Sequence, residues 1–85
     1  MQNVSVAVVI LNYNGKKLLQ KFLPNVIQHS LQTTVYVADN ASTDDSVSFL
    51  KSEFPGIKLI ELKENFGFAK GYNEALKHVN ADYFV

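Results

Sequence analysis

The sequence predicts a three-layer α/β fold in which a parallel sheet of four strands carries helices on both faces. Short apolar runs alternate with stretches that repeat apolar residues at helical spacing, so the 85 residues are predicted to form βαβαβαβ. The runs at residues 4–11 and 35–38 are rich in β-branched residues, as is typical of strands buried on both faces of a parallel sheet. Right-handed crossovers would keep the strands in one sheet, for which we expect the order 3-2-1-4 with strand one central.

The first strand, at residues 4–11, leads into a turn cluster at residues 12–15 and then into an amphipathic helix. The apolar positions of this helix fall in pairs that share one face: Leu18, Leu19, Phe22, Leu23, Val26 and Ile27. Pro24 lacks an N–H group, and its ring clashes with the preceding helical turn. We therefore expect two short helical pieces in place of one continuous helix.

The second strand ends at Asp39, where the sequence changes abruptly from apolar to acidic, amide and hydroxyl residues. Ser42 followed by Asp45 resembles a capping box, so a helix should begin at about residue 44. Its apolar stripe consists of Val47, Leu50 and Phe54, and the Pro-Gly pair at residues 55–56 ends it. This strand, polar turn and helix start form the kind of βα corner at which open α/β sheets bind ligands.

The last third of the chain repeats this pattern of strand, turn and helix. Residues 57–62 predict an outer strand, residues 64–67 a third turn, and residues 82–85 the start of a fourth strand. The helix before the fourth strand has one apolar face, made of Phe68, Tyr72, Ala75, Leu76 and Val79. Gly71 interrupts this helix at a cost of about 1 kcal/mol relative to alanine, which indicates close approach of a ligand or another backbone.

Composition excludes several classes of function. Eight basic and eight acidic residues give a formal net charge of zero, so nothing predicts broad attraction to nucleic acid or to an anionic membrane. The chain has no cysteine, and His29 and His78 are far apart, which argues against a thiolate or histidine metal cluster. The apolar run at residues 4–11 is much shorter than the ~18 residues that a membrane span requires.

The turns that follow strands one to three should meet, because the carboxyl ends of parallel strands lie along one edge of the sheet. This edge would gather residues 12–15, 39–43 and 65–67 around one cleft. Asp39 offers acceptor oxygens and suits a partner that presents N–H groups, such as the imide of uracil or thymine. Taken alone, however, an aspartate at a strand end is more often a turn or capping residue.

Other side chains at this edge match the remaining parts of a nucleotide. Three asparagines can donate and accept hydrogen bonds at a base or ribose edge: Asn12, Asn14 and Asn40. Tyr13 could stack on a base or on a sugar. The helix starts after Ser42 and Asn65 would supply N–H groups for phosphate, and Lys70 would add a positive charge. The alternatives are that residues 12–15 form an ordinary turn and that Lys70 is a solvated surface lysine.

The glycines exclude two other phosphate-binding motifs. Gly67 and Gly71 do not form G-x-G-x-x-G, and the turn after strand one contains a single glycine, Gly15. No G-x-x-x-x-G-K-[ST] run occurs either. A dinucleotide-binding fingerprint and a P-loop are therefore both absent from the sequence. Asp44 and Asp45 are more simply explained as partners of the helix dipole than as metal ligands.

At these turns the sequence resembles the family 2 glycosyltransferases of the GT-A fold. Three motifs carry the resemblance, in the family's order and spacing: VILNYNG at residues 9–15, VADNASTD at residues 37–44 and ENFGFAKGYN at residues 64–73. The resemblance covers essentially the whole chain and is closest to the rhamnosyltransferase-like subgroup of cell-surface polysaccharide synthesis. It implies that the three-layer, Rossmann-like sheet is the N-terminal half of a GT-A fold.

The resemblance further implies a binding site for a UDP- or dTDP-sugar. Near the base and the adjoining ribose it places Asn12, Tyr13, Asp39 and Ser42, with the imide N–H donating to the aspartate. Along the ribose and diphosphate it places Asn65, Gly67 and Asn73. Together with the residues singled out above, the candidate nucleotide-binding set is Asn12, Tyr13, Asn14, Asp39, Asn40, Ser42, Asn65, Gly67, Lys70 and Asn73.

Members of this family commonly transfer a sugar with inversion, using a carboxylate as general base. A divalent cation, Mg²⁺ or Mn²⁺, held by a D-x-D motif offsets the charge on the departing diphosphate. The D-x-D residues normally follow the fourth strand and the base comes later, so the resemblance assigns no catalytic residue and no metal ligand here. We expect residues 1–85 to be a single partial domain, truncated at the start of strand four and inactive alone.

A second interpretation belongs to a different class, namely a non-catalytic nucleotide-binding or oligomerising α/β module. Exposed strand edges invite pairing with another chain, so we expect a homo-oligomer. For the enzyme, the resemblance implies a saccharide or lipid-linked acceptor, and the zero net charge predicts no nucleic acid partner. The resemblance also implies a cytoplasmic location, with the cytoplasmic face of the membrane as the alternative for a longer form.

Overall fold

The computed structural model describes residues 6–29, 33–79, 81 and 83–84, with the side chains of the last two excepted. The strands are β1 (Val6–Asn12), β2 (Thr34–Asp39), β3 (Lys58–Glu61) and β4 (Tyr83–Phe84). The helices are α1 (Lys16–Gln28), α2 (Ser46–Glu53) and α3 (Phe68–Leu76). Of the predicted strand residues, numbers 4, 5, 82 and 85 lie outside the described residues. The alternation of strands and helices is the predicted βαβαβαβ.

The four strands form one parallel sheet in the order β3-β2-β1-β4, which confirms the predicted order 3-2-1-4. The strand β1 lies between β2 and β4. The register sets Asn12 beside Asp39 and Asp39 beside Glu61, so the first three strands end level with one another. This alignment brings the turns that follow them to one edge of the sheet.

One face of the sheet packs against α1 and α2. A buried cluster joins the two helices to the sheet and consists of Leu19, Leu23, Val35, Val37 and Leu50. Leu19 and Leu23 are one turn apart and therefore point to the same side of α1. Leu18 and Phe22, which were predicted to share this face, are exposed instead, since only one member of each apolar pair can point straight at the sheet.

The opposite face of the sheet is covered by α3, which completes the third layer. The hydroxyl of Tyr72 donates a hydrogen bond to the carbonyl oxygen of Val9 at 3.2 Å. Gly71 is buried, and a Cβ atom there would lie 3.1 Å from Asn40 Nδ2 and 3.3 Å from Leu11 Cδ2. The close approach predicted at Gly71 is therefore made to two side chains, and it allows α3 to lie directly on the polar turn after β2.

The helix α1 is continuous from Lys16 to Gln28 with Pro24 inside it, so the prediction of two helical pieces is wrong. Pro24 is exposed, while its neighbour Leu23 is fully buried in the core. The packing of Leu19 and Leu23 holds the helix together, although proline removes one hydrogen bond from it. In the described part of the chain, no helix is long and apolar enough to cross a membrane.

The predicted capping box at the start of α2 is also wrong. The helix begins at Ser46 with Asp45 at the N-cap position, and no side chain of the N-cap residue makes a capping hydrogen bond. Asp44 accepts the N–H of Ser46 at 2.9 Å instead. Ser42 is turned away from the helix because its hydroxyl bonds to the Asp39 carboxylate.

Candidate functional site

A buried carboxylate, Asp39, lies at the centre of the polar edge of the sheet. The residue is 2% exposed and sits at the last position of β2. Its Oδ1 accepts hydrogen bonds from Asn12 Nδ2 at 2.9 Å and from the Ser42 hydroxyl at 2.6 Å. Its Oδ2 accepts the backbone N–H of Ser42 at 2.8 Å. Because burying a carboxylate is costly unless it is hydrogen-bonded, these three donors make the position tenable.

The turn after β2 folds around this carboxylate and contains one residue, Ala41, with an uncommon backbone conformation. Ala41 has φ 62°, in the left-handed region that non-glycine residues rarely enter. The conformation sends the chain back on itself, so that Ser42 can donate both its N–H and its hydroxyl to Asp39. Such strained residues are found where the surrounding contacts dictate the backbone.

The turn after β1 is tied to the turn after β2 by Asn14. The Asn14 N–H donates to the Ser42 hydroxyl at 2.9 Å. Its side-chain Oδ1 accepts the backbone N–H groups of Thr43 and Asp44 at 2.7 and 3.1 Å, and its Nδ2 donates to Thr43 Oγ1. Asn14 thus satisfies donors that were predicted to bind phosphate, and the helix start after Ser42 does not offer those N–H groups to a ligand.

Gly15 allows the two turns to come this close. A Cβ atom at this position would lie 2.6 Å from Asn12 Oδ1, a distance that real Cβ atoms do not tolerate. Asn12 is itself buried and holds Asp39 through its Nδ2. The glycine is needed here for space and not for a left-handed backbone.

A second hydrogen-bond network joins the turns after β2 and β3. Asn40 Nδ2 donates to Asn65 Oδ1 at 2.9 Å and to the Gly67 carbonyl at 3.1 Å, and Asn40 Oδ1 accepts the N–H of Phe66 at 3.0 Å. Asn65 Oδ1 also accepts the N–H of Gly67 at 2.8 Å. Asn40 therefore shapes the third turn, and the N–H groups of Phe66 and Gly67 are already used by the protein.

A cleft of about 270 Å³ opens beside the second network, between the turns after β1 and β3. It is lined by Leu11, Tyr13, Asn40, Asn65, Gly67 and Phe68. Tyr13 is 48% exposed and Phe68 is 76% exposed, so two aromatic rings border a cleft whose remaining polar groups are amides. Larger hollows exist among the described residues, and one of about 530 Å³ is at the opposite end of β2, away from this polar edge.

An ion pair closes the outer side of the site. Lys16 Nζ lies 2.7 Å from Asp45 Oδ2 and so connects the start of α1 to the start of α2. The hydrogen bond from Lys16 lowers the pKa of the Asp45 carboxyl below its ordinary value. The hydrogen bond from Ser46 does the same to the pKa of Asp44. Both carboxylates are therefore committed to partners within the protein.

The structure brings most of the predicted site residues together. Those that line the cleft or bond to one another are Asn12, Tyr13, Asn14, Asp39, Asn40, Ser42, Asn65 and Gly67. Lys70 and Asn73 are exposed on α3 and do not line the cleft. The Lys70 ammonium lies 5.3 Å from the centre of the Phe66 ring.

Sequence reasoning missed two residues that line the cleft, Leu11 and Phe68. Phe68 was assigned to the apolar face of α3, although it is the first residue of that helix and follows a glycine. The helix start lies at the carboxyl edge of the sheet, so its position in the turn was the signal that could have placed Phe68 at the site.

The divalent cation implied by the family resemblance does not fit these residues. Asp45 is paired with Lys16, Asp44 with the Ser46 N–H, and Asp39 with three donors. Across residues 6–29 and 33–79 and the few described beyond them, no group of three or more His, Cys, Asp or Glu residues could hold a metal ion. We assign no step of a reaction to a cation at these side chains.

We expect Gly15→Ala to destabilise the protein. The new methyl group would displace Asn12 and weaken its hydrogen bond to Asp39, which should lower the free energy of unfolding by about 1–3 kcal/mol. Gly56→Ala is the matched control, because nothing lies within 4 Å of a Cβ atom there. Urea denaturation should show a change within about 0.5 kcal/mol for the control. Equal stability of the two variants would contradict the role given to Gly15.

Comparison with known proteins agrees with this geometry. The model of Glycosyl transferase family 2 matches residues 7–85. The uncharacterized glycosyltransferase YfnE of Bacillus subtilis (strain 168) is 36% identical over 87 aligned positions, which cover 96% of this chain and 22% of YfnE.

Solved structures agree as well. The mannosyltransferase PcManGT from Pyrobaculum calidifontis, in complex with GDP-Man and Mn²⁺, superposes with a TM-score of 0.79 at 28% identity, over 96% of this chain and 26% of that chain. S. aureus TarS 1-349 in complex with UDP-GlcNAc gives a TM-score of 0.78 at 25% identity, over 95% and 26% of the two chains. The chain thus spans about a quarter of the length of these relatives. The fold is the GT-A-like fold of these neighbours, and the chain belongs to glycosyltransferase family 2.

Proposed function

We propose that this chain is the nucleotide-sugar-binding part of an inverting glycosyltransferase. The whole enzyme would transfer a sugar to a saccharide or lipid-linked acceptor in cell-surface polysaccharide synthesis, and this part alone would recognise the donor without catalysing transfer. Family membership supports the reaction class. The observation that carries the binding role is the hydrogen-bonding state of Asp39 at the carboxyl edge of the sheet.

Asp39 Oδ2 has an acceptor position that no described residue uses, although the side chain is buried. A carboxylate can accept about four hydrogen bonds, two at each oxygen. Oδ1 already accepts two, from Asn12 and Ser42, whereas Oδ2 accepts one, from the Ser42 N–H. A ligand that presents a single N–H group would complete Oδ2, and a ligand that presents an acceptor would be repelled there.

The bases of nucleotide sugars differ in whether they present a ring N–H group to such an acceptor. Uracil, thymine and guanine carry a ring N–H beside a carbonyl, while cytosine and adenine carry a bare ring nitrogen at the equivalent edge. The ligands named for the two solved neighbours, GDP-Man and UDP-GlcNAc, both belong to the first group. This agrees with a carboxylate that reads a ring N–H, and we assign the donor as a UDP- or dTDP-sugar.

The remaining candidate residues would hold the rest of the donor. Tyr13 is half exposed in the cleft and can stack on the base. Asn65 and Gly67 lead from the cleft into α3, whose first-turn N–H groups have no partner within the helix and would bind the diphosphate. Lys70 and Asn73 lie on the exposed side of the same helix, where they would meet the diphosphate.

The location that we propose for the enzyme is the cytoplasm, at the cytoplasmic face of the membrane in a longer form. Nucleotide-sugar donors and lipid-linked acceptors would meet there. The divalent cation and the general base of the reaction would be supplied outside the residues described here, since these carboxylates are committed to other partners.

A homo-oligomer is also part of the proposal. Within the described residues, β3 is an edge strand of the sheet and pairs with β2 alone. Unpaired strand edges favour association with another copy. Static light scattering across a hundredfold range of protein concentration should give a mass above that of the monomer. A monomer mass throughout would contradict the proposed oligomer.

Base selectivity tests the proposed function. By isothermal calorimetry we expect UDP and dTDP to bind at least about tenfold more tightly than CDP, because CDP sets an acceptor against the buried carboxylate. Asp39→Asn, which keeps the shape of the side chain, should remove this preference. Its circular dichroism spectrum would show that the variant is folded. Equal affinity of the unaltered protein for UDP and CDP would contradict the role of Asp39.

A further inference from the structure

Phe68 is the most exposed large apolar side chain among the described residues, and it borders the cleft. The residue is 76% exposed at the first position of α3. A phenyl ring left in water forgoes the favourable burial that its large apolar surface would give. A ring in this position is explained if a ligand covers it.

The Phe68 ring packs against Tyr72, one turn further along the same helix. It meets the Tyr72 ring edge-on, with 5.4 Å between the ring centres and an interplanar angle of 69°. The Tyr72 hydroxyl is anchored in turn to the Val9 carbonyl on the central strand. Because these contacts position the Phe68 ring before a ligand binds, stacking on the ring costs little side-chain conformational entropy.

The polar groups of the cleft fit a ring better than a phosphate. The Asn40 amide is taken up by Asn65, Phe66 and Gly67, and the N–H groups of Phe66 and Gly67 are used within the turn. Asn65 Oδ1 accepts two hydrogen bonds, whereas its Nδ2 has no partner among the described residues. Two aromatic rings, Leu11 and a single amide donor therefore remain for the ligand.

The size of the cleft agrees with a single ring. Its volume of about 270 Å³ is smaller than the ~300–1,000 Å³ typical of pockets that hold a whole small ligand. The cleft can hold one part of a nucleotide sugar while the remainder runs along the start of α3.

We propose that Phe68 is a base-binding residue, which forms with Tyr13 a slot for the nucleobase. The base stacks on Phe68, and Asn65 Nδ2 donates a hydrogen bond to a carbonyl of the base. This inference rests on the proposed function and adds to it a second aromatic ring in contact with the base, contributed by the first residue of α3. Stacking on aromatic side chains is sequence-tolerant, so Phe68 supplies affinity while the amide and carboxylate supply the choice of base.

The test compares Phe68→Ala, Phe68→Leu and Phe68→Trp, with UDP and ribose 5-phosphate as ligands in calorimetry. UDP affinity should fall about tenfold or more in the alanine variant and less in the leucine variant, and should be kept in the tryptophan variant. Ribose 5-phosphate affinity should not change, because that ligand has no base. Leu18→Ala is the matched control, since Leu18 is 64% exposed on α1 and does not line this cleft.

The outcomes separate the two proposals. If the unaltered protein binds UDP and Phe68→Ala binds it equally well, the role of Phe68 is wrong while the proposed function stands. A parallel loss of UDP and ribose 5-phosphate binding would also overturn the base contact, since Phe68 would then act on the sugar or on the fold. Failure of the unaltered protein to bind UDP would overturn both proposals.

Discussion

The buried carboxylate of Asp39 is the constraint on which the rest of the polar edge depends. An aspartate with 2% exposure must receive hydrogen bonds from the protein, and the end of β1 and the turn after β2 supply them. Asn12 comes from the neighbouring strand, where the sheet register places it beside Asp39. Ser42 comes from the following turn, which reaches back only because Ala41 takes a left-handed conformation. The left-handed backbone at Ala41 and the close packing at Gly15 both follow from the need to hydrogen-bond this carboxylate.

This constraint also explains why the site divides into two parts. On one side, Asn14 uses its amide to bind the backbone of residues 43–44 and leaves a rigid network with one acceptor position open on Asp39. On the other, Asn40 orders the turn before α3, beside the cleft that Asn65, Tyr13 and Phe68 line. The first part would read a base edge and the second would hold the base face, so recognition requires the three turns to lie at one edge of the sheet.

The sequence was sufficient for the fold because buried parallel strands and helical periodicity are strong signals, and the order 3-2-1-4 followed from them. It also predicted that the polar residues at the ends of the first three strands would meet at one edge of the sheet, and they do. It could not show that Asn14 would occupy the N–H groups of Thr43 and Asp44, because that pairing depends on the spacing between two turns. The prediction of a helix break at Pro24 was wrong for a related reason. The core packing of Leu23 outweighs the tendency of proline to interrupt a helix.

The contact on which the proposed donor recognition depends is a ring N–H of the nucleobase donated to Asp39 Oδ2, beside the Ser42 N–H. It is tested most directly by nuclear magnetic resonance of UDP labelled with nitrogen-15 at N3. In the complex, the N3 proton should be protected from exchange with water and should show a nuclear Overhauser effect to the backbone N–H of Ser42. A bound N3 proton that exchanges as fast as in free UDP, with no such effect, would contradict the account.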